Sequence, residues 1–138
     1  MTTIIRIAAA LILNDTGETL LVRKRGTRAF MQPGGKLEPG EDAQSAVLRE
    51  IEEEIGLVFS RDQLLPLGHF EADAANEPGS RVVADVFRID ITTVTIVLAA
   101  EIEEAVWIAP DDAETLDLAP LTRDHILPAY RKMLRTAT

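Results

Sequence analysis

The sequence predicts an α/β domain, a mixed β-sheet covered by helices. Three observations carry that expectation. Strand-like runs outnumber helical ones. The helical runs sit in the middle and at the end of the chain instead of alternating with strands. No repeat, linker or low-complexity tract divides the 138 residues, a length that suits a single domain over 1–138 with a sizeable core.

Taken in order, residues 3–13 and 19–25 read as two strands. The turn Asp15–Glu18 joins them, and Asn14-Asp15-Thr16-Gly17 has the Asx/Gly composition of a hairpin. The stretch from Gln32 to Gly40 reads as a loop, because Pro33, Gly34, Gly35, Pro39 and Gly40 interrupt any helix. Residues 42–55 read as a helix with Asp42 as N-cap and Gly56 as a left-handed C-cap. Strands are expected around 64–72, 82–91 and 94–100, the first two separated by the polar turn Asn76–Ser80. Trp107-Ile108 reads as a short strand before Pro110. Residues 121–135 read as a helix in which Pro128 makes a kink or a break.

Composition narrows the function. Fourteen Lys and Arg against 23 Asp and Glu give a net charge of −9. This argues against a nucleic-acid polymer or an anionic membrane as partner, since both need a positive field. The absence of cysteine excludes disulfides, thiolate metal sites and thiol nucleophiles. The apolar run Ile7–Leu13 is too short to span a bilayer and leads into a hairpin, not a cleavage site. Cytoplasmic residence is the expectation.

The 42–55 helix carries the chemistry. On a helical wheel Val47, Leu48, Ile51 and Ile55 form the core face. Glu50 and Glu54 lie at its edge, with Glu53 beyond them on the same side. Acidic helix faces are usually just solvated. Here the carboxylates stand at the rim of a buried face beside a glycine-rich loop, where they can converge on a cation. Oxygen donors without Cys or His select a hard ion, Mg²⁺ or Mn²⁺. Arg49, four residues before Glu53, can hold a carboxylate by a charge-assisted hydrogen bond or form an ordinary surface pair. Gly34 and Gly35 allow the main chain to approach a ligand closely, or only to turn tightly. The loop is not a Walker A motif, because Leu37 follows Lys36 where Ser or Thr is needed.

Arg23, Lys24 and Arg25 end the second strand. Alternation places Arg23 and Arg25 on one face, as a candidate phosphate grip, and Lys24 on the other. Phe30 and Met31 are candidates for a base or leaving-group pocket, or for the core. His69 and His125 stand alone in the sequence and read as structural or surface residues.

From Gly35 through Glu41 to Arg49-Glu50-Ile51-Glu52-Glu53-Glu54-Ile55-Gly56-Leu57, the spacing resembles the Nudix box at every defined position. The flanking hairpin and the strand-rich region after the box also look like a small MutT-like Nudix hydrolase. The resemblance implies an α/β/α sandwich and hydrolysis of a nucleoside diphosphate linked to another moiety, with Mg²⁺ or Mn²⁺. It makes Glu50 and Glu54 metal ligands and Glu53 a ligand or base, with the Gly34 carbonyl as another ligand. Arg49 orients a catalytic glutamate, Glu41 braces Arg49, and Gly56 ends the helix. Glu101, Glu103 and Glu104 lie where many relatives carry an additional ligand or base, and Glu101 is favoured. Gln32 departs from the apolar or aromatic residue usual before Pro-Gly-Gly. The region that carries the markers of ADP-ribose and dinucleoside polyphosphate hydrolases reads Ala72-Asp73-Ala74-Ala75, without their Pro or Tyr, and no cysteine is present for isomerase chemistry. The expected partner is a small nucleotide, and many relatives form homodimers. The alternative is a Nudix-fold nucleotide-binding or sensor module without turnover.

Overall fold

A computed structural model describes residues 2–92, 94–99 and 101–136. Among the described residues, seven strands and two α-helices follow one another: β1 (Thr3–Leu13), β2 (Thr19–Lys24), β3 (Phe30–Met31), β4 (Gly34–Lys36), α1 (Ala43–Ile55), β5 (Leu65–Asp73), β6 (Ser80–Asp90), β7 (Ile102–Ile108) and α2 (Leu127–Thr136). The strands form one mixed sheet in the order β3-β2-β1-β6-β5, with β4 also on β1 and β7 also on β2.

β1 organises the sheet. It runs parallel to β6 in unbroken register from Thr3↔Ser80 to Leu13↔Asp90. Its side chains alternate between two cores. Ala8, Ala10 and Ile12 meet Val47, Ile51 and Ile55 of α1. Ala9, Leu11 and Leu13 meet Leu121, Ile126 and Tyr130 at the C-terminal helical end. A strand covered on both faces needs a continuous apolar run, which is what this segment has. The result is the α/β/α sandwich, with α1 on one face and the C-terminal helix on the other.

Local chemistry sets the element ends. Asp42 accepts the Ser45 N–H at 2.8 Å and caps α1. Gly56 closes it at φ 72° and donates to the Glu52 carbonyl. In the β1–β2 hairpin, the Asn14 side-chain oxygen accepts the N–H groups of Thr16 and Glu18. The Tyr130 hydroxyl donates to the Gly17 carbonyl at 2.7 Å and pins that turn to α2.

Three expectations are corrected and a fourth is made specific. The 32–40 loop contains the short strand β4, paired antiparallel to β1 through Ile7↔Lys36, Ala8↔Gly35 and Ala9↔Gly34. The pairing requires glycine: a Cβ on Gly34 would lie 2.2 Å from the Ala8 carbonyl oxygen and 2.7 Å from the Ala9 Cα. Residues 94–99 form no strand (Ala100 lies outside the described residues). Val97 and Ala99 instead donate their N–H groups to the carbonyls of Ile55 and Glu54, at 3.1 and 3.0 Å, satisfying acceptors that a helix end leaves without intrahelical partners. β7 begins at Ile102, well before Trp107, so Glu103 and Glu104 lie on a strand. Finally, a π-helical turn, Thr122–Ile126, precedes α2. Pro128 has no N–H for the carbonyl four residues back, and the wider turn, closed by the Leu127 N–H donating to the Thr122 carbonyl, lies at that break.

Candidate active site

The cleft lies between the start of β1, the β3–β4 segment and the acidic side of α1. It encloses about 560 Å³, and its lining includes Gly34, Gly35, Glu50, Glu53, Glu54 and Glu101. The sheet supplies the glycines and the helix supplies the three neighbouring glutamates.

Arg49 is the hub of the helix side. Its Nε and Nη2 donate to the two Glu41 carboxylate oxygens, each at 2.9 Å. Its Nη1 donates to Glu50 at 2.8 Å and lies 3.6 Å from Glu53. Its Nη2 also reaches the Lys36 carbonyl at 3.1 Å. One planar guanidinium therefore ties β4, the box loop and two cleft glutamates together, which a lysine ammonium could not do in the same geometry. The Arg49 fork, the Glu38 N–H and the nearby positive charge hold the Glu41 carboxyl at about 2. The same contacts raise the Arg49 pKa.

Glu54 faces a different environment. It is 5% exposed, and its Oε1 accepts the Gly34 N–H at 3.0 Å. Burial pushes its pKa up to about 8, against the pull of that hydrogen bond; the charges of Glu50 and Glu101 add to the rise, and Lys24 opposes it. The Glu50 carboxylate rests on Gly35, where a Cβ would lie 2.5 Å from its carboxyl carbon. Both glycines are thus filled against by named neighbours, Gly34 by backbone and Gly35 by a functional side chain.

This donor set matches a divalent cation. Glu50, Glu53 and Glu54 offer only oxygen, and Glu54 carries a buried carboxyl whose charged form is poorly supported by the chain alone. Among the described residues no three acidic or imidazole side chains are gathered as a finished cation cage. Glu50 is turned to Arg49 and Glu54 to Gly34.

The cationic wall differs from expectation. Lys24 and Arg25 line the cleft, while Arg23 is absent from its described lining. Arg23 instead pairs with Glu104 at 3.1 Å and Glu103 at 3.5 Å, and donates to the Thr27 carbonyl. A register shift between Arg23 and Lys24, where β2 pairs with β7, breaks the simple alternation. Phe30 is likewise a core residue, 7% exposed, with the Arg23 guanidinium 5.9 Å from its ring. Met31 does line the cleft. Of the three later glutamates, Glu101 alone lines it. Its carbonyl accepts the Arg25 N–H at 2.7 Å. His69 pairs with Asp85 at 2.9 Å, and His125 stacks near Phe70.

Three cleft features depend on pairings between elements distant in the sequence. Lys24 came in through the bulge. Lys36 reaches Glu77 at 3.1 Å, tying the β5–β6 turn to β4 beside the cleft. Thr122, from the π-helical turn, donates to Gln32 across the chain at 2.7 Å.

Comparison with known proteins places this architecture. An 8-oxo-dGTP diphosphatase of Haemophilus influenzae is 39% identical over 72 residues, 49% of this chain and 53% of that protein. The aligned stretch therefore spans about half of that relative. An isopentenyl-diphosphate Δ-isomerase of Paenarthrobacter aurescens is 32% identical over 108 residues, 72% of this chain and 58% of that protein. The crystal structure of a MutT protein from Methanosarcina mazei Go1 superposes with a TM-score of 0.77 at 24% identity, over 99% of this chain and 97% of that one. The model of the NUDIX domain matches residues 3–130, box and flanking sheet together, and the chain belongs to the Nudix family.

Proposed function

We propose that the chain hydrolyses a phosphoric anhydride bond in a nucleoside diphosphate linked to a further group, either a nucleoside triphosphate or a nucleotide derivative, with Mg²⁺ or Mn²⁺. The observation that carries this reading is one cleft holding Glu50, Glu53, Glu54 and Glu101 beside Gly34-Gly35, with Lys24 and Arg25 on its wall. An acidic protein can take an anionic substrate there because positive charge is supplied locally.

Glu50, Glu53 and Glu54, with the Gly34 carbonyl and Glu101, are the groups that would hold the cation. The chemistry it supplies is neutralisation of phosphoryl oxygens and a lowered pKa for water. The chain does the rest. Arg49 orients Glu50 and Glu53 so that a carboxylate faces the reacting water and accepts its proton. Glu53, the more exposed of the two, is our choice for that base. Lys24 and Arg25 grip the phosphates. Glu41, held anionic by Arg49, keeps the guanidinium in place. Gly35 leaves room for Glu50, and Gly56 ends the helix so that the 94–99 segment can dock.

The isomerase likeness supports a different chemistry less well, because the chain has no cysteine. A cytoplasmic setting and a homodimer belong to the same proposal. Among the described residues, no helix is long and apolar enough to cross a membrane. The test is a panel of nucleoside triphosphates, nucleotide sugars and other diphosphate derivatives with Mg²⁺ or Mn²⁺, scored for phosphate with and without added phosphatase. Turnover that needs the metal supports the reading. Nucleotide binding without any turnover would make the chain a binding module instead.

A further inference from the structure

Gln32 is 5% exposed and lies in the cleft wall two residues before Gly34. Its Oε1 accepts the Thr122 hydroxyl at 2.7 Å. Its Nε2 is shielded and has no hydrogen-bond partner. A buried donor left unmade forfeits its hydrogen bond to water without replacement, and native structures leave few such groups unexplained. The oxygen end is already occupied, so the carboxamide is held with only its donor end unsatisfied.

We propose that Gln32 is a specificity-determining residue that donates its Nε2–H to a carbonyl oxygen on the nucleobase, with Thr122 as the positioning residue that fixes the amide. This rests on the nucleotide reading above and deepens it to a class of base. Gln32 shares the cleft lining with the apolar Met31, Ala119 and Leu121. An apolar stretch of wall suits a nucleoside's base and not its phosphates. An orphan N–H accepts no donor, so an exocyclic amine in the same place meets a like group and loses the contact. A site built around a buried hydrogen-bonding group rejects a ligand that leaves it unpaired. The pocket therefore favours keto bases over amino bases.

The test uses nucleoside monophosphates, which carry the base without the anhydride and so report binding whether or not the chain has turnover. Inosine and adenosine monophosphates share everything but the C6 edge of the base, where inosine has a carbonyl beside a protonated N1 and adenosine an amine beside a bare N1. Wild-type protein is expected to bind the inosine form about tenfold more tightly, by titration calorimetry, and Gln32→Leu to abolish that difference. Ribose 5-phosphate should bind both proteins alike. Thr122→Val should erode the preference and Thr122→Ser retain it, a pattern that a purely structural role would not give. This pair also decides the matter if Gln32→Leu does not fold. Equal binding of the two nucleotides by wild type, a preference for the amine, no binding of either, or a preference unchanged in Gln32→Leu or Thr122→Val would each overturn the inference. Failure of the hydrolysis panel alone would leave these binding outcomes readable.

Discussion

The Glu54 carboxylate accepts the backbone N–H of Gly34 at 3.0 Å, joining the last turn of α1 to β4 across the cleft. Helix and sheet thus meet through a buried acid whose pKa is raised to about 8. For such a group the folded state binds its proton more tightly than the unfolded chain does. In metal-free buffer, stability should therefore fall as pH rises from about 4.5 to about 8, by roughly a few kcal/mol in total. Glu54→Gln keeps an acceptor for Gly34 and removes the titration. Thermal unfolding in a chelator across that window should show a flatter profile for the variant. Parallel profiles would refute this.

Glu53→Gln and Glu50→Gln should lower turnover by about 10²- to 10⁴-fold, the range for losing a positioned proton acceptor or charge. Melting temperatures should stay near wild type, since neither side chain fills the core. The measurement is kcat with Mg²⁺ alongside a thermal melt. Wild-type turnover in both variants would remove these residues from the mechanism.

Arg49→Lys keeps the charge and loses the fork to Glu41, Glu50 and the Lys36 carbonyl. It should cut turnover at least tenfold through kcat, because the glutamates lose their orientation. It should also change acid stability. Glu41 has a pKa lowered from 4.5 to about 2, so its contribution is present above pH 4.5 and lost as pH falls toward 2. Acid unfolding followed by circular dichroism should show a shallower loss in that window for the variant.

Adjacent glycines should separate fold from function. Gly34→Ala drives a methyl into the Ala8 and Ala9 backbone, which cannot retreat without breaking β1. A loss of about 1–3 kcal/mol or more is expected. For Gly35→Ala the nearest atoms are those of the flexible Glu50 carboxylate, so stability should change little while turnover drops. Denaturant unfolding and kinetics on the two variants check the contrast.

Much of this was readable in advance where local chemistry decides. Asp42 and Gly56 bound α1 because caps act within a few residues. β1 was legible because burial on both faces leaves an uninterrupted apolar run. The glutamates that reach the cleft were legible from helical periodicity. Features set by distant partners were not. β4 exists only because β1 lies beside Gly34–Lys36. The alternating 94–99 segment looks like a strand, yet its N–H groups go to the end of α1. One bulge exchanged Arg23 for Lys24 at the cleft, and no residue type announces that shift. Gln32 could be seen to depart from the usual pattern, but Thr122 stands 90 residues away.

The docking of residues 94–99 on α1 separates two demands on the β6–β7 connection. Ala99 is hung from the Glu54 main chain, and the Glu101 carbonyl is held by Arg25. Glu101 is therefore moored at both sides to the elements that build the cleft. The exposed side chains of Val97 and Leu98 can change with little effect at the reacting end, because the backbone moorings, and not the course of the loop between β6 and Val97, decide where that last carboxylate stands.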